Sequence, residues 1–141
     1  MMEREKVIVF SGYFDPLHVG HLEGIELAKK LGGKLVVIVN SDEQAVLKKG
    51  FAFMPEGERM KIVKALEFVD EVVLSIDKDK SICKTLAMIK PHIFAKGGDR
   101  TAGEIPEGAI CRELGIEIID GLGAKIQSSS YLVKRGKGFE G

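Results

Sequence analysis

The sequence predicts an α/β fold: a Rossmann-like doubly wound sheet of five parallel strands, order 3-2-1-4-5, with helices on both faces. Three observations carry that prediction. Short apolar, β-branched runs recur without polar alternation, the pattern of strands covered on both faces. Segments of helical period separate those runs. Residues able to do chemistry gather just after the runs, while the opposite connections are bland.

The strand candidates are KVIVF (6–10), KLVVIV (34–39), EVVLS (71–75), HIFAK (92–96) and EIIDG (117–121). Helix candidates lie at about 18–31, 56–68, 81–90 and 106–114. The first spaces Leu22, Ile25, Ala28 and Leu31 helically and stops at Gly32-Gly33. The second follows Pro55, opens on the acidic EGER and carries Met60, Val63 and Leu66. The fourth has Pro106 in its first turn and Gly115 at its end. Residues 40–50 and 41–58 read as loop after strand two. A single domain over 1–136 with a flexible Gly- and charge-rich tail at 137–141 accommodates all of this.

Composition limits the function classes. Apolar residues make up 45% and charged residues 30%, a globular balance. Lys plus Arg equals Asp plus Glu at 21 each, so no global field recruits nucleic acid or an anionic membrane surface. The charged start MMEREKVIVF is too short in apolar residues for a signal peptide or membrane span. Cys83 and Cys111 lack CxxC or Cys/His spacing and read as buried, reduced thiols of a cytoplasmic protein.

Attraction for anions must therefore be local, and the stretch FSGYFDPLHVGHLEG (10–24) supplies it. His18 and His21, three apart, stand at a helix start, where backbone N–H groups and the positive dipole end favour an anion. Gly20 between them allows close approach of a ligand to the backbone. A surface or core pair, or half a zinc site, would show the same spacing. No third His, Cys pair or HExxH context accompanies it, and the preceding strand and Gly-Tyr-Phe-Asp-Pro turn favour a phosphate cradle. Ser128, Ser129 and Ser130 before YLVKR offer N-cap oxygens and amides for a second anion. Lys48-Lys49 and Lys96-Gly97-Gly98-Asp99-Arg100 follow strands two and four. His92, ahead of strand four, reads as structural.

G-Y-F-D-P-L-H-V-G-H resembles the signature of the HxGH nucleotidyltransferase superfamily, G-[ST]-F-[DN]-x-x-H-x-G-H. VNSDEQAVLKKG, the Glu-Arg of PEGERMKIVKALEFVDEVV, KGGDR and QSSS resemble further segments of that superfamily, in order. The chain looks most like stand-alone glycerol-3-phosphate cytidylyltransferases and the adenylyltransferase domain of heptose-phosphate enzymes. That resemblance implies transfer of a nucleoside monophosphate from a nucleoside triphosphate to a phosphorylated small-molecule acceptor, with release of pyrophosphate. The cofactor implied is Mg²⁺, held mainly by the triphosphate.

Carried onto this chain, the resemblance makes His18, His21 and Lys49 catalytic. It places Gly12, Tyr13, Phe14, Asp15, Gly20, Asp99 and Ser128 to Ser130 at the nucleotide, and Lys48, Arg59 and Arg100 at the acceptor. Tyr13 stands where Ser or Thr is usual, and Gln127 where the serine cluster is normally preceded by Ile. The RTxG arginine common in cytidylyltransferases has no match in DGLGAKIQ, which favours ATP over CTP. Rival readings are a CTP:glycerol-3-phosphate cytidylyltransferase, an FMN or pantetheine-phosphate adenylyltransferase, and a nucleotide-binding sensor without turnover. The apolar FAFMP at 51–55 points to a homodimer.

Overall fold

The computed structural model describes residues 5–97 and 105–122. In chain order it contains β1 (Val7–Gly12), α1 (Val19–Lys29), β2 (Lys34–Val39), α2 (Asp42–Lys49), α3 (Glu56–Lys64), β3 (Glu71–Leu74), α4 (Cys83–Ile89), β4 (Ile93–Gly97), α5 (Glu107–Leu114) and β5 (Glu117–Leu122). The strands pair in parallel as β3-β2-β1-β4-β5, the order predicted from the sequence.

Central β1 explains why its run is apolar throughout. Ile8 and Phe10 face one side with Leu35, Val37, Val39, Ile93 and Ala95, covered by Ile25 and Ala28 of α1 and Val63 of α3. Val9 faces the other side with Val36, Ile38 and Phe94, covered by Leu86 of α4 and Cys111 of α5. Period-two alternation sends neighbours to opposite faces, and here both faces are core. Each such side chain contributes about 1.5–3 kcal/mol on full burial. The sheet is therefore a rigid floor, and the segments leaving its carboxyl edge are held in place by it.

Residues 42–49 differ from the sequence expectation: they are helix α2, not loop. Ser41 Oγ accepts the Gln44 N–H at 3.1 Å, and Gln44 Oε1 accepts the Ser41 N–H at 3.0 Å, a reciprocal cap. Asp42 and Glu43 begin the helix and Lys48 and Lys49 end it, each charge matched to the nearby dipole end. Gly50, at φ 89°, takes the left-handed conformation that closes it. Gln44 is fully buried, and its Nε2 donates to the carbonyls of Asp79 (2.7 Å) and Ser81 (2.8 Å), docking α2 on the β3–α4 connection.

The helices α1, α3 and α4 are each shorter than their periodicity suggests. α3 stops at Lys64 because the chain must turn back into β3, although Leu66 and Phe68 still pack on the core. α4 begins at Cys83, where the buried Asp77 carboxylate accepts the N–H groups of Lys84 (2.7 Å) and Thr85 (3.0 Å). Among the described residues, no helix is long and apolar enough to cross a membrane.

Candidate active site

The site is built on the turn from β1 to α1, next to the point where strand order reverses between β1 and β4. Phe14 adopts a left-handed φ of 53°, and its buried ring folds back over the strand end. A Cβ at Gly12 would lie 3.0 Å from Phe14 Cζ, so the ring needs glycine beneath it. The same ring meets His21 edge-on, centroids 4.8 Å apart.

His18 is the N-cap of α1. Its Nδ1 accepts the Gly20 N–H at 3.1 Å, while His21 Nδ1 accepts the His18 N–H at 3.1 Å. The two rings stack with centroids 3.7 Å apart. The Gly20 amide expected to face a ligand is thus bonded to His18. Because each Nδ1 accepts, each neutral imidazole carries its proton on Nε2. His18 Nε2 is buried without a hydrogen-bond partner among the described residues. A buried donor left so is costly, and an anionic oxygen is the partner that relieves the cost.

Both rings are neutral at physiological pH. Burial, then the neighbouring His18 and Lys48, push His21 down to about 3. Burial lowers His18 as well. The pair therefore offers N–H donors rather than cations, and the positive charge comes from α2. Lys48 Nζ lies 4.4 Å from the centre of the Tyr13 ring. Lys49 Nζ lies 2.9 Å from Asp15 Oδ2 and 3.0 Å from the Asp15 carbonyl. Both lysines sit in the last turn of a helix docked on the scaffold, not on a loose loop.

Two expected ligand contacts turn out to be internal. The Asp15 carboxylate is fully buried and accepts N–H groups from Phe53 and Met54, each at 2.7 Å, besides Lys49. Burial alone would raise its pKa, but Lys49 and the two backbone donors hold it below the ordinary carboxylate value. Arg59 was expected at the acceptor; its side chain is fully buried and four of its five N–H bonds go to protein acceptors. These are Met54 O (2.8 Å), Tyr13 O (2.7 Å), Asn40 O (2.7 Å) and Asp42 Oδ1 (2.6 Å). The guanidinium fork ties together the segments after β1, after β2 and before α3. Sequence reading also missed Gln44 and Asn40, bonded to each other at 3.1 Å under the site. The Ser41-Asp42-Glu43-Gln44 pattern was the signal that would have found α2.

Tyr13 is half-buried; burial and the negative charge of Glu107 push its phenol up, against Arg59. Asp99, Arg100, Ser128, Ser129 and Ser130 lie outside the described residues. His92 is at the opposite end of the sheet, where its Nδ1 accepts the Val7 N–H at 2.9 Å.

A parallel sheet whose first turn presents neutral imidazole donors beside helix-borne ammoniums makes an α/β domain with an anion-receptive crevice at its switch point. The family model described as cytidylyltransferase-like matches residues 9–119, and the chain belongs to that family. It is 39% identical over 132 residues to the bifunctional protein HldE of Pelobacter propionicus, covering 92% of this chain and 25% of that protein. It is 44% identical over 95 residues to the FAD synthase of Ferroglobus placidus, covering 67% of this chain and 60% of that one. A solved lipopolysaccharide core biosynthesis protein from Thermoplasma volcanium superimposes with a TM-score of 0.73 at 26% identity, over 85% of this chain and 98% of that one. The chain spans about a quarter of the length of the HldE proteins it matches.

Proposed function

We propose that this chain transfers a nucleoside monophosphate from ATP, or from CTP, to a phosphorylated small-molecule acceptor such as a sugar or polyol phosphate, releasing pyrophosphate. The observation that carries the reading is the His18–His21 pair: two locked imidazoles with N–H outward-bonding atoms at Nε2, one of them a buried donor without a protein partner. In-line attack by an acceptor phosphate oxygen on the α-phosphorus needs no covalent enzyme intermediate. It asks for placement and for donors set where charge develops. His18 and His21 donate to phosphate oxygens, and Lys48 and Lys49 neutralise charge shared between triphosphate and acceptor. Similarity to proteins named HldE and FAD synthase supports a phosphorylated acceptor for this chain too.

Mg²⁺ is proposed to enter with the triphosphate, coordinated by its oxygens and water and lowering the charge the acceptor must approach. Among the described residues no three His, Cys, Asp or Glu side chains gather as a cage, so this reading asks none of them to hold it. We also propose a homodimer, supported by exposed Val46 and Leu47 on α2 and Phe51 and Phe53 beyond it. A cytoplasmic setting is supported by the free thiols of Cys83 and Cys111.

Pyrophosphate release measured with ATP and CTP against a panel of phosphorylated sugars, polyols, FMN and a pantetheine phosphate tests the reading. One nucleotide–acceptor pair is expected to stand well above the rest. Nucleotide binding without turnover on any acceptor would favour the sensor instead.

A further inference from the structure

The carboxylate of Asp15 gathers donors from three residues far along the chain. Lys49 Nζ, Phe53 N and Met54 N reach it from 34, 38 and 39 positions downstream. Oδ1 takes the Met54 N–H; Oδ2 takes the Phe53 N–H and the ammonium. Met54 is gripped at its other end too, since its carbonyl accepts Arg59 Nε at 2.8 Å. The two peptide linkages that flank Met54 are thereby each anchored on a buried, charged side chain.

We infer that Asp15 is a positioning residue for the transfer reaction, resting on the nucleotidyltransferase reading above: it sets Lys49 and the Phe53–Met54 backbone against the β1–α1 turn. A carboxylate fixed by two backbone N–H groups has no freedom to rotate, so its remaining lone pairs point one way. Lys49 ends a helix, is 27% exposed at its side chain, and would otherwise sample many rotamers. Two of its three ammonium N–H bonds go to Asp15 Oδ2 and Asp15 O, which leaves the third for a phosphate oxygen. The ammonium is thus placed without being consumed. The nucleotide turn and the segment beyond α2 are aligned through a single buried group.

The test compares Asp15→Asn, Lys49→Met and the combined variant with the parent. It reads pyrophosphate release, KM for nucleotide and acceptor, thermal melting, and amide hydrogen exchange at Phe53 and Met54. Asparagine keeps the shape but puts an NH₂ in place of one oxygen, and each of the two oxygens accepts a backbone N–H. Asp15→Asn is expected to lower kcat by about 30-fold or more, with nucleotide KM within about threefold. The combined variant should fall within about threefold of Lys49→Met alone, because both changes remove one placed ammonium. Exchange at Phe53 and Met54 should rise about tenfold in Asp15→Asn and several-fold in Lys49→Met, although the latter deletes no bond to that backbone.

A folded Asp15→Asn with turnover within about threefold of the parent would overturn the proposal, and so would losses that multiply in the combined variant. If Asp15→Asn fails to melt cooperatively, Lys49→Met decides alone: raised exchange supports the coupling and unchanged exchange defeats it. If the parent makes no pyrophosphate with any pair, the functional reading falls, and the same exchange comparison still judges whether Asp15 couples the two segments.

Discussion

His21 Nδ1 accepts the backbone N–H of His18, and the two rings stack with centroids 3.7 Å apart, so the His18 backbone sets the tautomer of His21 while the Gly20 N–H sets that of His18. The pair is at once the cap of α1 and the proposed donor set of the site.

That double role separates two effects in mutagenesis. His18→Ala and His21→Ala should each cut turnover roughly 10²–10³-fold, the loss typical of one placed charge-stabilising donor. Each should also cost about 1 kcal/mol of stability through the cap, some 4 °C in Tm for a chain of this size. His18→Asn should restore the cap and the Tm without restoring turnover. His92→Ala, at the far end of the sheet, should stay within a few-fold of the parent. Near-parental turnover in folded His21→Ala would defeat the catalytic reading of the pair.

Arg59 should behave as a structural ion. Arg59→Met strands the carbonyls of Tyr13, Asn40 and Met54 and unpairs Asp42, a loss of about 3–5 kcal/mol. Arg59→Lys should lose less, since it keeps the charge without the fork. Lys30→Ala, which breaks only an exposed pair with Glu26 at 3.5 Å, should move stability by under about 0.5 kcal/mol. Chemical denaturation of the three variants reads the contrast, and equal losses at Arg59 and Lys30 would refute it.

Stability should fall on acidification through the neutral His21 ring. The unfolded chain binds that proton near 6.5 and the folded one near 3, so the unfolded state holds more protons between these values. The contribution is full above pH 6.5 and is lost as pH drops toward 3, by up to about 1.4 kcal/mol per unit. Tm measured from pH 7.5 to 5 should decline more steeply for the parent than for His21→Asn. Superimposable profiles would show that folding leaves the His21 pKa unshifted.

Val46, Leu47, Phe51 and Phe53 are each about half or more exposed. If they form the contact between two copies, light scattering at micromolar concentration should give a dimer mass, and Phe53→Asp should halve it. A parent that is monomeric throughout that range would end the proposal.

Turnover should depend on the divalent cation that accompanies the triphosphate. Excess chelator is expected to lower pyrophosphate release by roughly tenfold or more, and added Mg²⁺ to restore it. Undiminished release in chelator would exclude that dependence.

Local pattern was enough for the sheet, the strand order and the histidine pair. β-branched runs covered on both faces, helical spacing between them, and two histidines at a helix start are all short-range features. The cap of α2 was equally local, in Ser41 and Gln44, but polar composition made residues 40–50 look like a loop. Asp15 and Arg59 are a different matter. The resemblance to a family motif assigned Asp15 to the nucleotide and Arg59 to the acceptor, and nothing local in the sequence showed that charged side chains, rarely fully buried, would both be buried here. Their actual partners are Phe53, Met54 and Lys49 for one, and Tyr13, Asn40, Asp42 and Met54 for the other, brought together across as many as 46 positions. Hydrogen bonds of that span leave no periodicity or spacing in a sequence. Only the packed fold, by stacking the segments after β1, after β2 and before α3 on one another, decided that these charged side chains bond to protein groups.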